Sequence, residues 1–216
     1  MKIARYLFRQ IFKCFFRNAT LDSPRSCILN PKMIELLFEE NKTNMDLNIH
    51  SQFAIYSLSE STDNEKIKYF LTFALNHLIS NELRVKIPHP YTNIDKNTDI
   101  LFEILTNGGN QFSKVSYWYP YDLPTSHKLP KIYNTIIEKH QRTFSKMVKE
   151  IKLREHPRRI MLSARAENIE IKVINDFYNF KSTKYQLSNK YNTKLKFSIC
   201  NEESNLGTIV EIKRII

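Results

Sequence analysis

Glycine is nearly missing from this chain: Gly108, Gly109 and Gly207 are all that 216 residues contain. A glycine-rich phosphate loop, a dinucleotide fingerprint or a kinase-type loop needs several glycines at fixed spacing, so none can be assembled. Most nucleotide-dependent enzymes are excluded on that ground. Cysteine is equally sparse. Cys14, Cys27 and Cys200 are scattered and odd in number, which argues against a disulfide framework and suits a reducing compartment. Six histidines (His50, His77, His89, His127, His140, His156) stand far apart, and no Cys or His pair has metal-ligand spacing. There is no nucleophile elbow and no zinc-binding His-Glu-x-x-His. No run approaches the roughly 18 uncharged apolar residues of a spanning helix, so any membrane contact is expected to be peripheral. The expectation is a protein that is not an enzyme and uses neither cofactor nor metal.

What is present is positive charge, unevenly placed. The formal net charge is +11, with 42% hydrophobic and 12% aromatic residues, a globular rather than disordered composition. Residues 1–32 carry seven cations to one acid, and 128–165 carry eleven to three, whereas 33–127 carry seven to twelve. Two basic patches around an acidic middle point to polyanionic partners, the phosphates of RNA or of lipid.

The first patch is an amphipathic stretch. Lys2, Arg5, Arg9, Lys13 and Arg17 recur every three or four residues, and no acid precedes Asp22. At helical pitch these cations share one face, Ile3, Leu7, Phe8, Ile11, Cys14 and Phe15 gather on the opposite side, and Tyr6 and Phe16 fall among the charges. Phe8, Phe12 and Phe15 are the expected aromatic membrane contacts. Such a helix over residues 1–17 suits an anionic bilayer surface, where each cation is worth about 1 kcal/mol. The same composition also fits a mitochondrial transit peptide over residues 1–20, or an arm packed on the protein's own body.

Further along, Phe53–Leu58 is expected as a strand. Thr62-Asp-Asn-Glu65 matches a capping box, and Ile67, Phe70, Leu71, Ala74, Leu75 and Leu78 follow at helical spacing, predicting a helix over 62–80. Residues 99–106 and 111–119 flank Asn107-Gly-Gly-Asn110, which reads as a β-hairpin with a tight reversal. Residues 131–154 are expected to form a second amphipathic helix, its apolar stripe including Ile132, Ile136, Phe144, Met147 and Ile151. The tail is expected to pair 160–164 with 168–174 and 194–200 with 207–216, around a long loop at 177–191. The sum is a single-domain α+β fold in which an antiparallel sheet of short strands packs with two main amphipathic helices. A basic amphipathic N-terminal arm, 1–30, precedes a core domain, 31–216.

The second basic patch supplies candidate nucleic-acid contacts: Lys139, Arg142, Lys146, Lys149, Lys152, Arg154, Arg158, Arg159 and Arg165. The bland alternative is a solvated helix face. Arg84-Val-Lys-Ile-Pro-His89 has the Arg-x4-His spacing of HEPN-type ribonucleases, although Pro88 opposes the helix on which those enzymes carry it. Gly207-Thr-Ile-Val-Glu-Ile resembles the last strand of histidine-kinase-like ATPase domains without their glycine boxes. Tyr119, Pro120 and Leu123 fit the form Tyr-Pro-x-x-Leu, which resembles the peptides by which viral matrix and Gag proteins recruit host scission machinery. The alternative for that peptide is a proline-rigid connector.

Taken in order, these features resemble those of rhabdovirus matrix proteins, small basic proteins with a lysine-rich arm and an α+β body. Residues 1–17 correspond to the arm. The strand and helix at 53–80, the strand at 100–105 before Asn107-Gly-Gly, Arg158-Arg159-Ile160 leading into Ile169-Glu-Ile-Lys-Val, and the closing Gly207-Thr-Ile-Val-Glu-Ile-Lys are similar in arrangement. The Pro-Pro-x-Tyr peptide common in that family is absent. The resemblance implies a virion and host-cytoplasm protein, peripheral at the membrane. It would bridge ribonucleoprotein to the inner membrane surface, self-associate and support budding. The alternative is an RNA-binding protein without a membrane role, such as a silencing suppressor or an organellar ribosomal protein.

Overall fold

Apolar and polar residues alternate with a period of two through most of the chain that can be followed, and that pattern builds one sheet. The computed structural model describes residues 6, 15–21, 48–57, 72–86, 98–118, 146–155, 162–174, 179–205 and 207–215. Among these described residues nine strands run in chain order: β1 (Phe15–Leu21), β2 (Ile49–Ser57), β3 (Leu78–Lys86), β4 (Phe112–Trp118), β5 (Glu150–Glu155), β6 (Glu167–Ile174), β7 (Phe180–Ser188), β8 (Lys196–Ser204) and β9 (Gly207–Ile215). Helical residues 72–77, here α1, lead into β3, and α2 (Thr98–Asn107) leads through a 3-10 turn at Gly108–Asn110 into β4.

The strand order is β1-β2-β3-β4-β5-β9-β8-β7-β6. β1 to β5 are parallel neighbours, and β5 to β9 and the rest are antiparallel. Parallel strands in sequential order need crossovers of one hand, and right-handed crossovers put every connecting helix on the same face of the sheet. The core therefore lies on one face. A single register row, Ala54, Leu83, Val115, Ile151, Ile212 and Ile199, crosses β2, β3, β4, β5, β9 and β8 with none of its members more than 1% exposed. Phe73 and Ala74 of α1 and Ile104 and Leu105 of α2 are buried in the same cluster. Each buried valine, leucine, isoleucine or phenylalanine among them contributes about 1.5–3 kcal/mol by leaving water.

This mixed sheet, half of it parallel, replaces the predicted antiparallel α+β fold with two main amphipathic helices. Residues 99–106, expected as a hairpin strand, lie within the helix Thr98–Asn107. A short apolar run is ambiguous between the two states, and Thr106 closes the helix by donating its hydroxyl to the Phe102 and Glu103 carbonyls. Asn107-Gly-Gly-Asn110 is accordingly no hairpin reversal. Gly109 serves close approach instead: its N–H donates to the Lys146 carbonyl at 2.7 Å. The expected helix over 131–154 does not reach its end, because 146–149 form a turn and 150–155 a strand. From residue 150 the pattern has period two, with Ile151 and Leu153 buried between polar neighbours. Residues 162–166 do not pair with β6. Its partner is β7, within the segment expected to be loop. The β8–β9 hairpin matches its expected pairing, and Gly207 takes φ 133° at its turn, a conformation side chains disfavour. The expected boundary at residue 30 lies outside the described residues.

Candidate nucleic-acid interface

The face opposite the core is half-exposed and charged. The strand registers set three rows across it. The first holds Phe53, Glu82, Lys114, Glu150 and Lys213; the second Ile55, Arg84, Ser116, Lys152 and Glu211; the third Ser57, Lys86, Trp118, Arg154 and Ile209. Neighbouring strands lie about 4.8 Å apart, so adjacent members of a row can touch through their side chains.

The first two rows form an ion-pair lattice. Arg84 Nη2 lies 2.8 Å from Glu82 Oε2, and the Ser116 hydroxyl donates to Glu82 Oε1 at 2.6 Å. Lys114 pairs with Glu150, and Lys152 lies 3.0 Å from Glu211. Lys213 bridges the two acids, 3.5 Å from Glu150 and 3.3 Å from Glu211, tying β5 to β9 where the parallel and antiparallel halves meet. Burial acts to raise the Glu82 carboxyl, but the hydrogen bonds from Arg84 and Ser116 and the charges of Arg84 and Lys114 outweigh it, leaving it below its ordinary value. Glu211 is likewise lowered: burial is overcome by Lys152 and Lys213. Lys213 is raised, its own partial burial outweighed by Glu211 and Glu150.

The third row differs. It lies nearest the carboxyl ends of β3, β4 and β5, and those three strands contribute Lys86, Trp118 and Arg154 to it with no carboxylate. Trp118 is 38% exposed, and the Arg154 guanidinium sits 5.3 Å from its ring centre. Arg84 stacks similarly on Phe53, at 4.3 Å. An exposed indole between two cations at the carboxyl edge of parallel strands is chemically a stacking platform with phosphate-binding flanks.

The residues predicted from sequence are distributed differently from expectation. Lys152 and Arg154 stand on β5 on this face; Lys146 and Lys149 are exposed in the turn before β5. Arg165 is exposed in another turn and donates to the Ser188 carbonyl at the end of β7, three strands from β5. The single helical basic face expected over 139–152 is thus divided. Lys139, Arg142, Arg158 and Arg159 lie outside the described residues, as do Lys2, Arg5, Arg9, Lys13, Phe8 and Phe12, and the motif Tyr119, Pro120, Leu123. Phe15 and Arg17 belong to β1, so an amphipathic helix cannot extend through residue 17. Arg84 of the Arg-x4-His spacing is on a strand, not a helix, and His89 lies outside the described residues. Sequence reasoning missed Lys86 and Trp118; a lone tryptophan closing an alternating strand was the available signal.

A concavity of about 260 Å³ opens at the amino ends of β2–β4 among His50, Ser51, Ser80, Asn81 and Gln111. Ser51 Oγ and Gln111 Oε1 there are buried without a hydrogen-bond partner among the described residues. The described residues that line it include no lysine or arginine. Among the described residues no group of three or more His, Cys, Asp or Glu is placed to hold a metal, and no helix is long and apolar enough to cross a membrane.

A family model described as a domain of unknown function (DUF8381) matches residues 1–88, less than half of the chain. No curated protein and no solved structure matches.

Proposed function

We propose that the protein is a non-enzymatic structural protein that binds single-stranded RNA on the open face of its sheet. The observation that carries this reading is the third row, where Lys86 and Arg154 flank exposed Trp118. Every base has a face that stacks on an aromatic side chain, and the flanking cations take the phosphates. The matrix-type role expected from the sequence adds a second contact, an anionic membrane surface, through the residues before β1. A virion location at the inner membrane belongs to that same role.

The test is fluorescence anisotropy of the full chain on a labelled oligouridylate across a salt series. Each phosphate left without its cation should lower the single-strand salt slope by about 0.7, so Lys86→Ala with Arg154→Ala should lower it by about 1.4. Trp118→Ala should cost about 1–3 kcal/mol of affinity with the slope unchanged. Lys114→Gln, in the lattice, should leave the slope as it is. Binding indifferent to all of the third-row changes would overturn the assignment. The membrane half is tested separately, by liposome flotation of a variant with Lys2, Arg5, Arg9 and Lys13 changed to glutamine. Equal flotation of both forms on acidic lipid would remove it without touching the RNA site.

A further inference from the structure

β6 is the terminal strand on the antiparallel side, bonded to β7 along one edge. All eight of its residues are exposed. Ile169, Ile171 and Val173, which alternate onto one side, are 46, 56 and 60% exposed. Soluble proteins usually guard an edge with proline, shortness or an inward charge, because a free row of backbone donors and acceptors is a template for another strand. This edge has no proline and carries its apolar residues in the open. By register Ile171 extends the buried row that ends in Asn201 and Thr183, so the core face runs on past its own cover.

We propose that β6 pairs antiparallel with β6 of a second copy of this chain, about a twofold axis through Ile171. The strand's own sequence, Ile-Glu-Ile-Lys-Val over 169–173, selects the occupant and the register. With the axis there, Ile171 meets its own counterpart, Ile169 meets the partner subunit's Val173, and Glu170 meets the partner subunit's Lys172, twice by symmetry. An axis at Glu170 would set two glutamates opposite each other, and one at Lys172 two lysines. An axis between residues would turn the apolar side of one copy onto the charged side of the other. Unlike charges and β-branched residues directly opposite each other across an antiparallel pair are attractive, and like charges are not. The bulge between Glu167 and Glu170, with Asn168 at φ 53°, turns the start of the strand aside and leaves residues 169–173 for the pairing. The dimer is reversible, because one strand pair covers less area than a permanent interface. It does not depend on the RNA reading.

Sedimentation equilibrium on the full chain tests it, with Glu170→Lys, Lys172→Glu, the double swap, and an equimolar mixture of the two single variants. Glu170 also stands opposite Lys184 on β7 within its own chain, so the mixture is the deciding measurement. Each single variant should weaken self-association about tenfold, since two attractive pairs become repulsive. The double swap and the mixture should both restore it, because unlike charges again meet. A monomer at every concentration, a dimer indifferent to the single reversals, or a mixture no tighter than its components would overturn the proposal. All the substituted positions are exposed, and an unchanged far-ultraviolet circular dichroism spectrum would verify folding.

Discussion

Alanine at Gly109 should destabilise the protein severely, and alanine at its neighbour Gly108 should not. A methyl group on Gly109 would run into the Met147 carbonyl oxygen, and would stand 2.6 Å from the Lys146 carbonyl oxygen and 2.8 Å from the Met147 carbonyl carbon. These are backbone atoms, so relief requires the turn before β5 to move. Two hydrogen bonds tie that turn to α2 and the 3-10 turn after it, Gly109 N–H to the Lys146 carbonyl and Val148 N–H to the Leu105 carbonyl. Overpacking costs about 1–3 kcal/mol, and each bond weakened about 1 kcal/mol. Alanine recovers about 0.4–1 kcal/mol by restricting the unfolded chain. The net loss is about 2–4 kcal/mol, or a fall in Tm of about 5–15 °C for a protein of this size. On Gly108 the nearest atom is a ring carbon of Phe112 at 3.1 Å, with Ile104 and Leu75 side chains at 3.6 Å. Side chains can give by that amount, so Gly108→Ala should stay within about 1 kcal/mol of the parent. Urea unfolding followed by the single tryptophan, Trp118, measures both. Equal effects, or a Gly109→Ala midpoint within error of the parent at unchanged m, would refute the packing of α2 against the turn before β5.

The lattice predicts a pH profile. The lowered carboxyls of Glu82 and Glu211 contribute stability that is complete above their unfolded value of 4.5 and lost as pH falls through their lower folded values, so the urea midpoint should decline on acidification below about pH 4.5, and less steeply in Glu82→Gln. At the β7–β8 turn, buried Asn189 accepts the N–H groups of Tyr191 and Asn192, both at 3.0 Å. Asn189→Ala should cost about 1–3 kcal/mol in urea unfolding while Asn189→Asp, which keeps the acceptor, should cost less; an alanine variant as stable as the parent would contradict that turn's geometry.

The hairpin β8–β9 was legible because both strands alternate cleanly, with Phe197, Ile199, Val210 and Ile212 inward. β7 was not, although it also alternates. Its inward set is Thr183, Tyr185 and Leu187, only one of them aliphatic, and its lysines and polar residues gave it the composition of a loop. The parallel half was hidden for a different reason. Parallel pairing joins segments across long crossovers, and no short-range turn residue announces it, whereas Asn-Gly-Gly announced a hairpin that does not exist. The candidate site was hidden by the same cause. Lys86, Trp118 and Arg154 sit on three strands, and only register sets them side by side.

That register also decides which charges on the open face can attract a polyanion. A cation beside a carboxylate on a neighbouring strand has its field largely cancelled within a few ångströms, and a phosphate arriving there must first compete with the acid. Lys114, Lys152 and Lys213 are in that position, each paired with Glu150 or Glu211. Counting basic residues on the face therefore overstates its pull on a polyanion. By register β3, β4 and β5 bring no acid to the third row, and there the guanidinium of Arg154 lies over the indole of Trp118. Stacking uses the flat face of a guanidinium, whereas its N–H donors lie in the plane, so resting on a ring and holding a phosphate are compatible. On the proposed RNA reading, self-neutralised rows beside a third row to which β3, β4 and β5 bring tryptophan and no acid make the salt slope more sensitive to Lys86 and Arg154 than to the paired lysines Lys114, Lys152 and Lys213.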